Sequence, residues 1–263
     1  MKHIRLTIQY DGTGYAGWQV QPDMLTIQGL LEGALEQVTG ENTQVVSAGR
    51  TDAGVHAIEQ VASFRSSSRL TPEVFQRALN SLLPPDIRVM DARYCSDGFN
   101  PRYSARSKRY FYLINNSAVQ SPFLSRYSYH FHGALDLGAM RVASGPLIGR
   151  YDFRSFQGSG CGARTTTREI YRIEITQLNE FEVFTVRFHG RLVRIAIEAN
   201  AFLRHMVRNI AGTLLEVGRG VMDAQAMERI VLGRDRRLAG PTAPACGLFL
   251  EWVAYPQGDK VDD

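Results

Sequence analysis

The N-terminal part of the chain shows first a strand-like and then a helix-like pattern of apolar residues. Residues 3–10 alternate apolar and polar positions, which predicts a strand with one buried face. Residues 27–38 place apolar side chains at the 3.6-residue period of a helix, after a capping residue, Thr26, and before Gly40. The pattern therefore predicts a strand followed by an amphipathic helix.

Three more strands and a second helix follow before residue 98. The helix begins at Thr71-Pro72, because proline favours the first helical position, and it stops at Pro84-Pro85. The strands are predicted at residues 43–47, 56–64 and 87–94. The resulting order, β-α-β-β-α-β, is that of a ferredoxin-like unit and of the RNA-recognition module.

The same order recurs loosely in the second half of the chain. Asp136 can cap a helix, and two more helices are predicted at residues 202–217 and 223–232. The strand predicted at residues 191–199 continues beyond the simple repeat as an added hairpin arm. The stretch 175–197 is longer than a simple strand pair requires. Strands are predicted at residues 109–114, 168–178, 181–188, 191–199 and 247–253.

Together these elements predict an α+β fold built from two ferredoxin-like (RRM-like) halves. We expect the halves at residues 1–98 and 104–255. Placed side by side, they would form one extended, mainly antiparallel sheet with helices on one face. The open face of that sheet and the seam between the halves are where a binding cleft is expected.

The composition is that of an ordinary globular protein. The chain has 263 residues, of which 44% are hydrophobic, and this is enough for a sizeable core. No apolar run approaches the roughly 20 residues that span a bilayer, and the first residues lack the apolar core of a signal peptide. We therefore expect a cytoplasmic protein with no membrane association. The three cysteines are far apart and include no C-x-x-C pair, which indicates neither a disulfide framework nor a thiolate zinc site.

The basic residues are mostly arginines, and they are unevenly distributed. Of the 30 basic residues only three are lysines, and the net charge is +4. No acidic residue lies between Asp97 and Asp136, an interval that holds five basic residues among many aromatic ones. Cations for the backbone and rings for unstacked bases are what a nucleic-acid groove needs, although a solvated face beside an aromatic strand is the alternative. The five basic residues are Arg102, Arg106, Lys108, Arg109 and Arg126.

One stretch between two predicted strands holds a single carboxylate among glycines, an arginine and a histidine. Gly49 and Gly54 can adopt backbone conformations closed to other residues, so this loop can present Asp52 rather than bury it. Arg50 can orient the carboxylate or contact a phosphate or base. The alternative is a tight turn in which Asp52 only hydrogen-bonds to its own backbone. The stretch reads Ala48-Gly49-Arg50-Thr51-Asp52-Ala53-Gly54-Val55-His56-Ala57.

Two other features invite a functional interpretation. Arg204 and Arg208 are one turn apart in the predicted helix 202–217, with His205 beside them, and form either its solvent side or an arm that reaches into a cleft. Residues 11–19 contain a G-x-G pattern, but the pattern does not open directly into a helix, so it does not indicate a dinucleotide site. No histidine or carboxylate spacing indicates a metal site.

The residues around Asp52 resemble the signature of the TruA family of tRNA pseudouridine synthases. Other segments match the family in the expected order, so the resemblance covers nearly the whole chain. These segments are Tyr10-Asp11-Gly12 with Gly17-Trp18-Gln19, Ser107-Lys108-Arg109-Tyr110-Phe111-Tyr112, Asn200-Ala201-Phe202-Leu203-Arg204-His205-Met206-Val207-Arg208-Asn209, and Gly247-Leu248-Phe249-Leu250.

The resemblance implies isomerisation of uridine to pseudouridine in RNA without a cofactor. It implies that Asp52 is the catalytic carboxylate and that Arg50 helps to hold the target nucleotide flipped out of its helix. It further implies that Tyr110 stacks on the target base and that Arg208 pairs with the aspartate. A carboxylate suits this chemistry because it can attack the sugar or the base, or take a proton from the sugar.

The remaining expectations concern the substrate and its partners. His56, Arg204 and His205 are expected as further substrate-binding residues. The family's usual targets imply tRNA, at positions 38, 39 and 40 of the anticodon stem-loop, and a homodimer that grips one tRNA. Two alternatives stay open: a non-catalytic RNA-binding or chaperone protein of the same architecture, and a hydrolase that uses Asp52 on a glycosidic bond.

Overall fold

A computed structural model describes residues 1–183 and 186–256, and at 181, 183 and 186–189 it describes the backbone alone. The chain forms two compact units. The first comprises Met1–Lys108 and residues 249–256, and the second comprises Arg109–Leu248. Within the described residues, no helix is both long and apolar enough to cross a membrane.

The sheet of the first unit is organised around two long strands, β1 (Lys2–Tyr10) and β3 (His56–Ser66), which pair antiparallel. Strand β4 (Ile87–Tyr94) pairs antiparallel with the other edge of β1. Strand β10 (Leu248–Ala254) runs parallel to β3. This pairing places β10 with the first unit, whereas the sequence predicts this strand within the half at residues 104–255.

Two helices cover the apolar face of this sheet, as the apolar periodicity predicts. Helix α1 (Ile27–Thr39) begins where the Thr26 side chain accepts the N–H of Gly29, and it ends at Gly40 in the left-handed conformation. Helix α2 (Pro72–Leu82) carries Phe75, whose ring meets Phe64 of β3 edge-on at 5.2 Å. Alternate residues of β1, namely Ile4, Leu6 and Ile8, are fully buried.

The second strand is shorter than predicted. Strand β2 (Val46–Ser47) pairs with β3, but residues 43–45 do not. Side chains of α1 bind the backbone of Val45 instead: Glu32 Oε1 accepts its N–H at 2.9 Å, and Gln28 Nε2 donates to its carbonyl at 3.2 Å. The polar groups that would extend the strand are therefore already satisfied by the helix.

The described part of the second unit contains a mainly antiparallel sheet and three α-helices. Strand β5 is Ser107–Asn115 and β6 is Tyr129–His130, which pairs parallel with β5. The sheet order is β5-β9-β8-β7, where β7 is Gly149–Asp152, β8 is Thr167–Val183 and β9 is Val186–Ala199. The helices are α3 (Leu137–Ser144), α4 (Met206–Gly218) and α5 (Ala226–Gly233). The predicted α+β class with mainly antiparallel pairing is confirmed within each unit.

The prediction of a separate strand at 181–188 was wrong. Phe181 pairs with Phe188, so this stretch is divided between β8 and β9, which form one long hairpin. Residues 184–185 of the predicted strand lie outside the described residues. The hairpin accounts for the extra length of the segment 175–197.

The helix predicted at 202–217 begins four residues late, at Met206. His205 has a left-handed backbone (φ 61°), and the carbonyl of Arg204 accepts the N–H of Gly158 at 2.8 Å. Arg204 and His205 therefore precede α4, and the prediction that Arg204 and Arg208 are one helical turn apart was wrong.

Candidate active site

Asp52 lies at the start of a tight turn that leads into β3. The N–H of Val55 donates to the Asp52 carbonyl at 3.1 Å, and Gly54 adopts φ 76°, which glycine takes without steric cost. The Asp52 side chain is half-buried, and Arg50 is exposed. The backbone therefore forms a tight turn, and the residue that carries the carboxylate is partly exposed to solvent.

The glycine-rich loop at residues 11–19 packs directly on this turn. A Cβ on Gly12 would lie 2.0 Å from the carbonyl oxygen of Val55, and a Cβ on Gly17 would lie 2.6 Å from that of Thr51. The N–H of Trp18 donates to the same Thr51 carbonyl at 3.0 Å, and the Trp18 side chain is buried. Contacts between main chains therefore hold the two loops together, and only glycine fits at these two positions.

Buried polar side chains form hydrogen bonds with the Asp52 loop. The Tyr10 hydroxyl and Thr51 Oγ1 are 2.8 Å apart, and Gln60 Nε2 donates to the Gly49 carbonyl at 2.8 Å. Lys108, which is also buried, donates from Nζ to the Ala48 carbonyl. Burial raises the pKa of Tyr10 to about 12, so its hydroxyl is neutral at physiological pH. These groups fix the backbone that precedes Asp52.

His56, predicted as a substrate-binding residue, lies beneath the two loops and is 1% exposed. Its Nδ1 accepts the N–H of Gly12 at 3.0 Å and lies 3.1 Å from an Asp11 carboxylate oxygen. Its ring stacks on Phe249 of β10 at 4.5 Å. These contacts connect the glycine-rich loop, the Asp52 loop and the last strand.

In the second unit, Tyr110 and Arg208 are both held by specific neighbours. Tyr110 lies on β5, and its ring meets Phe202 edge-on with 5.1 Å between the centroids. Arg208 lies in the first turns of α4 and is half-buried. Its Nε donates to the Ala243 carbonyl at 2.8 Å, and its own carbonyl accepts the N–H of Ala243 at 3.1 Å. Two hydrogen bonds therefore join this helix to the segment before β10.

Arg204 and His205 lie against two glycines of one loop, Gly158 and Gly160. Arg204 Nη1 donates to the Ser159 carbonyl at 3.1 Å. A Cβ on Gly158 would lie 2.6 Å from His205 Nδ1, and one on Gly160 would lie 3.1 Å from Arg204 Nη1. The lack of side chains at these glycines lets the loop approach both residues closely.

The structure thus groups the predicted site residues in two sets. Asp52, Arg50 and His56 belong to one loop and the start of β3 in the first unit. Tyr110, Arg208, Arg204 and His205 belong to the second unit.

Sequence reasoning missed the support from Tyr10, Gln60 and Lys108. The available signals were that Tyr10 and Lys108 lie in segments that match the TruA family and that Gln60 is a polar residue in a predicted strand. Among the described residues, no three or more His, Cys, Asp or Glu side chains are arranged to hold a metal ion.

Comparison with known proteins identifies the family. The family model described as tRNA pseudouridine synthase matches residues 6–104 and 143–256. The chain belongs to the tRNA pseudouridine synthase family. The residues of this chain that match the family model include the Asp52 loop, the glycine-rich loop and the start of α4.

Full-length relatives agree with the family match. The chain is 43% identical to a tRNA pseudouridine synthase A of Myxococcus xanthus over 258 residues, which are 98% of this chain and 94% of the relative. It is 44% identical to that of Syntrophotalea carbinolica over 262 residues, which cover 100% of both chains. It is also 44% identical to that of Geobacter sulfurreducens over 97% of this chain and 100% of the relative.

Proposed function

We propose that this protein isomerises uridine to pseudouridine in tRNA, with Asp52 as the catalytic carboxylate. The observation that carries the proposal is a half-buried aspartate on a loop whose backbone is fixed from two sides. The name of a relative that matches the whole chain at 44% identity, tRNA pseudouridine synthase A, supports tRNA as the substrate. The family to which the chain belongs supports the reaction type.

The reaction balances without any redox partner. The bond between N1 of uracil and C1′ of the ribose breaks, and a new bond forms between C1′ and C5 of the same base. The hydrogen on C5 leaves as a proton, and N1 takes up a proton. Because the product is an isomer of the substrate, the protein has to supply only nucleophilic or acid–base chemistry and a pocket that retains the detached base. Asp52 supplies the nucleophilic or acid–base chemistry.

The other site residues are assigned to holding the nucleotide. Removing a base from its stack costs a few kcal/mol, which protein contacts must offset. Arg50 is exposed two residues before Asp52, so its guanidinium can bind a phosphate or fill the space of the flipped nucleotide. The edge-on contact with Phe202 fixes the plane of Tyr110, which suits a ring that stacks on a base.

Arg208, Arg204 and His205 are assigned to substrate binding in the second unit, where their side chains or backbones are tied to neighbouring loops. His56 is assigned a supporting function, because a side chain that is 1% exposed and bound to Gly12 holds the loops together.

The substrate and assembly follow from the same proposal. An arginine-rich chain with net charge +4 favours binding to the RNA backbone. We assign the reaction to uridines at positions 38, 39 and 40 of the anticodon stem-loop, carried out in the cytoplasm by a homodimer. Sedimentation of the protein with and without tRNA tests the dimer.

The experiment that tests the function is release of tritium from tRNA labelled at C5 of uridine. We expect release with no added metal or cofactor, and loss of release when uridines 38, 39 and 40 are replaced by cytidine. Binding without release would identify a non-catalytic RNA-binding or chaperone protein. Free uracil in the products would identify a hydrolase. Either result would overturn the proposal.

A further inference from the structure

We propose that Tyr10 and Thr51, together with Gln60, form a buried hydrogen-bonded relay that positions Asp52 for the reaction. This inference rests on the proposed function of Asp52. None of the three side chains reaches the surface, since Tyr10 is 3% exposed, Thr51 is 6% exposed and Gln60 is fully buried. They are therefore positioning residues and do not contact the RNA.

The relay holds the backbone at two points just before Asp52. Gln60 Nε2 donates to the carbonyl of Gly49 at 2.8 Å and to the Tyr10 hydroxyl at 3.4 Å. The Tyr10 hydroxyl lies 2.8 Å from Thr51 Oγ1. Because a carbonyl can only accept, Gly49 fixes which end of the Gln60 amide faces the loop. Gly49 and Thr51 enclose Arg50, and Thr51 directly precedes Asp52.

The relay connects this loop to two long strands. Tyr10 is the last residue of β1, and Gln60 is in the middle of β3, which pairs with β1. Because Tyr10 and Gln60 lie on two paired strands, their side chains have little freedom to move. The loop that they bind is therefore held in a fixed position relative to the sheet. The carbonyl of Thr51 is held separately by the N–H of Trp18. Thr51 is thus fixed through both its backbone and its side chain.

Rigid placement matters because a displacement of about 1 Å at a reacting group can cost roughly 100-fold in rate. The Tyr10–Thr51 bond is the connection that can be removed most cleanly. Tyr10→Phe deletes one hydroxyl and keeps the ring. Thr51→Val deletes the partner hydroxyl and keeps the branched shape, whereas Thr51→Ser keeps the hydroxyl.

The experiment measures single-turnover tritium release at saturating tRNA, together with the tRNA dissociation constant. For Tyr10→Phe and Thr51→Val we expect the rate to fall roughly tenfold or more, and the dissociation constant to change by less than about twofold. The double variant should be no slower than the slower single variant, because both substitutions remove the same hydrogen bond, that between Tyr10 and Thr51. Thr51→Ser should retain at least half of the wild-type rate.

Tyr255→Phe is the matched control. It removes a tyrosine hydroxyl from the same unit that donates at 2.8 Å to the carbonyl of Pro101, a residue outside the Asp52 loop. We expect a wild-type rate and a loss of stability no larger than that of Tyr10→Phe, because Tyr255 is half-buried whereas Tyr10 is buried. Because the relay is neutral, the shape of the pH–rate profile should be the same in Tyr10→Phe and wild type between about pH 6 and 9.

Several results would overturn the relay. They are a wild-type rate in Tyr10→Phe, rate losses that multiply in the double variant, or a displaced pH–rate profile, which would indicate proton transfer rather than positioning. If Tyr10→Phe does not fold, Thr51→Val decides by the same criteria. A wild-type protein that releases no tritium from any tRNA would instead refute the proposed function.

Discussion

Replacing Gly12 by alanine tests whether the glycine-rich loop holds the Asp52 loop in place. The added Cβ would lie 2.0 Å from the Val55 carbonyl oxygen and 2.6 Å from its carbon. Both are backbone atoms, so no side chain can rotate away. Restoring an ordinary contact of about 3.4 Å requires the two loops to separate by more than an ångström.

The magnitude follows from this displacement. Overpacking of a closely packed site costs about 1–3 kcal/mol of stability. The carbonyl that must move belongs to Val55, three residues after Asp52 and hydrogen-bonded to it through the turn. A shift of about an ångström in the carboxylate is expected to slow the reaction roughly 100-fold.

Gly14→Ala is the matched control, because it lies in the same loop and a Cβ there would meet nothing within 4 Å. Thermal unfolding should be measured on both variants. Single-turnover tritium release should then be measured at a temperature well below either melting temperature. We expect Gly14→Ala to match wild type in rate and Gly12→Ala to be less stable and slower. Equal stability and equal rate in the two variants would refute the claim that main-chain contact between the loops places Asp52.

Three further predictions concern other parts of the molecule. Thr26→Ala removes the side-chain oxygen that accepts the Gly29 N–H, so it should lower the free energy of unfolding by about 1 kcal/mol, measured with denaturant, and leave the rate of tritium release unchanged. An unchanged free energy of unfolding would show that Thr26 does not stabilise the start of α1. Burial holds the pKa of His3 below its ordinary value of 6.5, so the unfolded chain binds a proton more readily than the folded one. Stability should therefore be fully present above pH 6.5 and decline as the pH falls through that value, and a decline equally steep in His3→Gln would contradict this. Arg208→Lys keeps the charge but loses the Nε donor to Ala243, and it should reduce single-turnover tritium release roughly tenfold; an unchanged rate would exclude a positioned guanidinium there.

The order of the elements in the first unit was predictable because each has a strong local signal. Thr26 and Gly40 mark the two ends of α1, and the alternation in residues 3–10 marks β1. The length of β2 was not predictable, because it depends on Glu32 and Gln28 of α1 binding the backbone of Val45. Such long-range competition leaves no trace in the residues of the strand itself.

The candidate site was likewise predictable only in part. The sequence pattern drew attention to Asp52 and its loop, whose catalytic role stays a prediction, and glycine spacing drew attention to residues 11–19. The late start of α4 was missed, because apolar periodicity continues through Phe202 and Leu203 although the Arg204 carbonyl is bound to Gly158 instead of to the helix. His56 was expected to reach the substrate, but its burial under Gly12 depends on how the two loops pack.

The central claim is that Asp52 performs the chemistry and does not merely shape the turn. Asp52→Asn keeps the size of the side chain and one acceptor oxygen, replaces the other oxygen by an NH2 donor, and removes the charge. We expect this variant to fold, to bind tRNA with a dissociation constant close to that of wild type, and to release no tritium from tRNA labelled at C5 of uridine. Release at the wild-type rate by Asp52→Asn would contradict the assignment of Asp52 as the catalytic carboxylate.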